Sequence, residues 1–143
     1  MKVSVGSDHA GFECKQAVIA FLELKGILVT DHGCYSTDSV DYPDFVHPVG
    51  NDIDLEQADF GIVLCGSGNG VAMTVNKHKA VRCALCWNEE IAQLARAHNN
   101  ANVLSIPARY VTLEIACSMV AVFIDTAFES GRHQRRIDKI NLP

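Results

Sequence analysis

The segment best equipped for chemistry is an apolar run that ends in Cys65 and continues through Gly66, Ser67, Gly68, Asn69 and Gly70. Glycines let a ligand approach the main chain closely, and N–H groups at a helix start favour a negatively charged oxygen. A cysteine at the entrance to such a cradle suits nucleophilic attack, or proton abstraction beside a carbonyl with the oxyanion held by N–H groups. The same residues also fit a buried thiol with no chemical role. Two nucleotide templates do not fit. No Lys-Ser or Lys-Thr pair closes the loop as a Walker motif requires, and Val71 stands where the dinucleotide pattern needs its third glycine. The acidic residue expected about 20 positions on is also missing, since "AVRCALCW" ends in Trp87.

Two other loops and the C-terminal tail carry further candidates. "GSDHAG" presents Asp8 and His9; Asp8 could cap the following helix, but a cap does not explain the neighbouring histidine. "PAR" brings Arg109 to the end of another apolar run. The last 12 residues hold four of the 12 basic residues and one of the 17 acidic ones. Arg132 and Arg136 are four apart, so on a helix they point the same way and can grip one phosphate.

Composition sets the frame. The chain has 143 residues, 48% hydrophobic and 20% charged, which is one globular domain spanning residues 1–143. A net charge of −5 argues against a nucleic-acid partner. No uncharged apolar run reaches the roughly 20 residues of a membrane span, and the N-terminus lacks a secretory signal. A cytoplasmic location is expected. Cys14, Cys34, Cys65, Cys83, Cys86 and Cys117 are scattered, as reduced thiols are. Cys83 and Cys86 have C-x-x-C spacing without a second pair, and a strand there sends them to opposite faces.

Short apolar runs alternate with helical patterns along the whole chain. Strands are expected at residues 2–6, 27–33, 58–65, 80–85 and 100–108. Helices are expected at 12–26, 70–78, 88–98, 112–128 and 131–140, with a turn and a less regular helix over 41–57 because of Pro48 and Gly50. Five strands, each followed by a helix, predict a parallel sheet covered on both faces. The fold class is α/β, a Rossmann-like three-layer α/β/α sandwich. Ligands in such folds bind beyond the carboxyl ends of the strands, where the Asp8, Cys65 and Arg109 loops all lie.

"GSDHAGF", "DYPDF", "CGSGNG", "VNKH", "RCAL", "ARAHNNANVL" and "GRHQRR" follow one another in this order. In that combination, from Lys2 to about Ile140, the chain resembles the B-type ribose-5-phosphate isomerase family, which includes the galactose-6-phosphate isomerase subunits. The resemblance implies an aldose–ketose isomerase that works through an enediolate with no metal or other cofactor. Cys65 would move a proton between C1 and C2, and Gly66, Ser67, Gly68, Asn69 and Gly70 would hold the enediolate oxygens. His98 would assist ring opening, with Asn99 on a sugar hydroxyl. Asp8, His9 and Tyr42 would bind the sugar, and Arg109, Arg132 and Arg136 its phosphate. Some members have Gly at the position of Cys65 and use a Glu at that of Val71; here only Cys65 can serve as base.

His98 adds a geometric constraint. It ends a helix running away from the carboxyl edge, which puts it roughly 15 Å from that edge. It shares a helix face with Ile91 and Leu94, so packing in the core is the competing reading. If His98 and Cys65 act together, the site is shared between two subunits of a homodimer, with His98, Arg132 and Arg136 supplied in trans; a tetramer is compatible with this. A six-carbon isomerase subunit and a non-catalytic sugar-phosphate or nucleotide sensor are the alternative readings. A thiol-redox role lacks a resolving cysteine near Cys65.

Overall fold

The computed structural model describes residues 1–142. Five parallel strands, β1 (Lys2–Ser7), β2 (Leu28–Asp31), β3 (Phe60–Cys65), β4 (Cys83–Leu85) and β5 (Val103–Pro107), form one sheet in the order β2-β1-β3-β5-β4. The helices are α1 (Phe12–Leu24), α2 (Tyr42–Asp54), α3 (Asn69–Val75), α4 (Glu89–Asn99), α5 (Leu113–Asp125) and α6 (Arg132–Ile137).

Residue alternation along the central strand explains the layering. Ile62 and Leu64 of β3 pack into a core with α1, α4 and α5, while Val63 and Cys65 face α2 and α3 on the other side. A strand covered on both faces needs no polar residue, which is why β3 reads as an unbroken apolar run. Cys83 and Cys86 divide in the same way, Cys83 on the α2/α3 side and Cys86 on the other. Burial pushes both thiols up, that of Cys86 to about 12, and raises Cys14 to about 11. These side chains are neutral filling.

Several boundaries differ from the sequence reading. α2 is a regular helix despite Pro48 and Gly50, because Val46, Val49 and Ile53 bury one face and the His78 ring packs on Gly50. Tertiary burial here outweighs the propensity of two residues. β4 is shorter than expected. Arg82 leaves the strand direction, its N–H bonding the Asn102 side chain at 2.7 Å, and pairing with β5 starts only at Cys83. Asp8 is not the helix cap, which is Gly11; its Oδ1 instead accepts the N–H groups of Ala10 and Gly11 at 2.9 and 3.0 Å.

One charge lies fully inside. Lys15 of α1 is 0% exposed, and its Nζ donates to both Asp31 oxygens at 2.6 Å, tying α1 to the end of β2. A buried charge is tolerated when it is paired and becomes expensive when its partner goes. Asp31→Ala should therefore cost about 3–5 kcal/mol in urea unfolding. Lys15→Met should cost less, because solvent still reaches the Asp31 carboxylate. Equal losses in both variants would contradict this account.

Candidate functional site

The carboxyl ends of β1, β3 and β5 are adjacent, so the three loops singled out by sequence meet at one place. They surround a hollow of about 800 Å³ lined by Asp8, His9, Tyr42, Cys65, Gly66, Ser67, Gly70, Arg109 and Tyr110, among others. The glycine loop is built around Gly68, which has φ 75° and could not carry a side chain without strain. Ser105 of β5 donates its hydroxyl to the Gly68 carbonyl at 2.7 Å, a buried hydrogen bond that fixes this turn. Two more bonds stitch the loop to the chain after β5: Ala108 N–H to the Cys65 carbonyl at 2.9 Å, and Arg109 N–H to that of Gly66 at 3.1 Å.

Cys65 is 5% exposed at the base of the hollow. The turn aims the Gly68 N–H at its Sγ, 3.1 Å away. This differs from the sequence expectation, because that donor serves the sulfur and not a ligand oxygen. A main-chain N–H so placed holds a thiolate once it has formed. Asn69 also departs from expectation. Its N–H and its side-chain amide both turn to Ser67 Oγ, at 3.4 and 3.3 Å, and it does not line the hollow.

The remaining glycines give space. A Cβ on Gly70 would lie 2.6 Å from the Tyr42 ring, and one on Gly66 would lie 3.1 Å from the Arg109 guanidinium. Tyr42 and Arg109 are thus laid directly over the loop. His9 accepts the Val40 N–H on Nδ1 at 3.2 Å, so the neutral ring carries its proton on Nε2. Tyr110, next to Arg109, lines the hollow and was missed in the sequence; only its neighbour's charge pointed there.

His98, Asn99 and Arg136 lie elsewhere. They line a second hollow of about 350 Å³ together with His133. α4 ends at Asn99, and the chain enters β5 at Val103, so this hollow is at the amino edge of the sheet. Cys65 closes the opposite edge, and a five-residue strand between them spans roughly 16 Å. Arg132 and Arg136 both lie on α6 and are exposed, but only Arg136 lines the second hollow. His98 is not packed in the core either. Ile91, Leu94 and His98 form a partly exposed stripe, while Ala92 and Ala95 carry the buried face of α4. His133 was passed over in the sequence, although it stands between the two arginines. Burial lowers its pKa first, then the positive charges of His98, Arg132 and Arg136, against an opposing effect of Glu129.

A family model described as "Ribose/Galactose Isomerase" matches residues 3–140. The chain belongs to the ribose/galactose isomerase family. A relative named ribose-5-phosphate isomerase B from Mycolicibacterium paratuberculosis is 46% identical, over 96% of this chain and 88% of its own. The Escherichia coli protein of that name is 37% identical, over 97% and 93%. Among solved structures, the isomerase from Thermotoga maritima is 49% identical with a TM-score of 0.95, covering 97% of this chain and 96% of its own. That from Mycoplasma genitalium, solved with bound ribulose 5-phosphate, is 42% identical with a TM-score of 0.93, covering 97% and 93%.

Two measurements test the local physics. Ser105→Ala removes one of the two hydrogen bonds to the Gly68 carbonyl, leaving the Ala72 N–H at 3.2 Å, and should cost about 0.5–1.5 kcal/mol; Cys65 should then be alkylated faster under native conditions, as read by peptide mass spectrometry. An unchanged rate would mean that the loop does not depend on this bond. The lowered His133 pKa means that the unfolded chain takes up a proton before the folded one. Stability should fall as pH drops through about 6.5, and His133→Asn should flatten that slope in thermal melts.

Proposed function

We propose that this protein interconverts ribose 5-phosphate and ribulose 5-phosphate, with Cys65 as the proton-transfer base. The observation that carries the proposal is the seating of the Cys65 thiol. It lies under the Gly68 N–H, in a polar hollow with Asp8, His9 and Arg109, in a chain of the ribose/galactose isomerase family. The bound ribulose 5-phosphate of the Mycoplasma genitalium relative supports a five-carbon substrate.

The chemistry follows from the groups present. The Cys65 thiolate takes the proton from C2 of the open-chain aldose, giving a 1,2-enediolate. The same proton returns to C1, while the hydroxyl proton passes from O2 to O1, so the product is an isomer of the substrate. The N–H groups of Gly66, Ser67 and Gly70, which line the hollow, and the Ser67 hydroxyl stabilise the enediolate oxygens. Asp8, His9 and Tyr42 hold sugar hydroxyls, and Arg109 takes the phosphate.

Furanose ring opening needs a group that removes the O1 proton and returns one to the ring oxygen. His98 fills that role from a second copy of the chain, accompanied by Asn99, Arg132 and Arg136. Several features support such a homodimer. The two halves of the machinery stand at opposite edges of one subunit, and apolar side chains lie exposed between them. Met73 is 67% and Trp87 54% exposed, next to the short edge strand β4 and the Ile91–Leu94 stripe. All six cysteines are free thiols, which supports a reducing, cytoplasmic location.

Proton NMR of ribose 5-phosphate with the protein in D₂O and EDTA tests the reaction. The expected result is ribulose 5-phosphate from the wild type and none from Cys65→Ala. A Cys65→Ala chain mixed with a His98→Ala chain should regain about a quarter of wild-type activity, the statistical share of intact sites in a twofold dimer. No recovery after subunit exchange would refute the shared site. An inactive protein that still binds the sugar phosphate would leave a sensor.

A further inference from the structure

Asn69 belongs to the glycine loop yet does not line the hollow, while Ser67, two residues before it, does. The two residues are joined twice. The Asn69 main-chain N–H donates to Ser67 Oγ at 3.4 Å, and the Asn69 side-chain amide donates to the same oxygen at 3.3 Å. The first bond is a turn in which a serine oxygen accepts the N–H two residues on. Gly68 makes it possible, because its φ of 75° folds the chain back between the two residues and starts α3 at Asn69. The second bond needs an amide at position 69. An alanine there would keep the main-chain bond and remove this donor alone.

The direction of these bonds decides what Ser67 can do. A hydroxyl has one proton and two lone pairs. Around Ser67 Oγ, Cβ takes one direction and the two Asn69 donors take the lone pairs, so the proton is left with the fourth. Both donors come from a residue outside the hollow, which leaves the inward direction to the proton. A free serine hydroxyl rotates, and accepts from a sugar hydroxyl as readily as it donates to one. Each bond from Asn69 is long and weak alone. Together they leave the hydroxyl one favoured orientation, that of a donor.

We propose that Asn69 is a positioning residue, which fixes the Ser67 hydroxyl as a hydrogen-bond donor to the enediolate oxygens. The inference rests on the isomerase reading given above. In the aldose and the ketose, the oxygens on C1 and C2 are a carbonyl and a hydroxyl without net charge. In the enediolate they share a full negative charge. A donor already aimed at them gains strength as that charge develops, with no reorganisation at the moment of reaction. Its effect therefore falls on kcat more than on KM. Asn69 contributes without touching the sugar.

A double-mutant cycle in steady-state kinetics with ribose 5-phosphate tests this. Ser67→Ala should lower kcat by about 10²-fold, the usual loss for one such donor. Asn69→Ala should lower it by about tenfold, less than Ser67→Ala because the main-chain donor stays, with KM changed by less than about twofold. Asn69→Asp should lose more, since its carboxylate accepts the hydroxyl proton and draws it out of the hollow. In a Ser67→Ala background, Asn69→Ala should cost nothing further, and Asn69→Asp only what its charge adds. Asn69 is exposed, so unchanged thermal melts are expected for every variant. Losses that multiply in the Ser67→Ala/Asn69→Ala double variant would overturn the inference, because Asn69 would then act independently of Ser67. An unchanged or raised kcat in Asn69→Ala would overturn it too, since the amide would then be idle or would itself hold the Ser67 proton. A wild type that forms no ribulose 5-phosphate would refute the isomerase reading and this inference with it. An active wild type with multiplying losses refutes this inference alone.

Discussion

The hydrogen bond from Ser105 to the Gly68 carbonyl is the constraint on which the site depends. It joins the middle of β5 to the loop after β3 and holds Gly68 in a left-handed conformation that other residues adopt only with strain. That conformation turns the Gly68 N–H towards Cys65 and starts α3 at Asn69. Gly70 then comes to lie under Tyr42, at the first turn of α2. The Ala108 and Arg109 N–H groups, on the Cys65 and Gly66 carbonyls, hold the rest of the loop against the chain after β5. The Gly68 carbonyl also accepts the Ala72 N–H at 3.2 Å, so it ties β5 and the first turn of α3 to one point.

The layers around it follow the same logic of exclusion. Cys65 belongs to the α2/α3 core by side-chain direction, yet it ends its strand, so its sulfur sits where the apolar layer meets the polar hollow. Cys14, Cys83, Cys86 and Cys117 lie away from that boundary, and burial raises the pKa of each. A thiol becomes useful here through its place at the end of a strand, where a loop can reach it.

Much of this was legible in the sequence, and the remainder was hidden for identifiable reasons. Strands β1, β3 and β5 announced themselves as apolar runs ending in polar or glycine-rich loops, and the parallel-sheet rule then brought Asp8, Cys65 and Arg109 together. The course of α2 was obscured because Pro48 and Gly50 oppose a helix locally, while three buried residues and the His78 ring decide it from outside. The orientation of the Gly68 N–H depends on Ser105, 37 residues away, so no local pattern reveals it. His133 stands in a basic run, and its flanking arginines carry the obvious charge signal. Only the stacking of its ring on His98, across two helices, sets it apart.

The strand order has a consequence for how the chain comes to be folded. β3 lies between β1 and β5, so Phe60 must find Val3 and Gly61 must find Val103, pairings of long sequence separation on both sides. Such contacts form slowly, because each closes a long loop before any burial rewards it. Ser105 and Arg109 come from the last third of the chain and must arrive before the glycine loop can take its shape. During synthesis the Cys65 thiol is therefore made early and seated late. Until β5 docks, it is one more cysteine in an unfinished sheet.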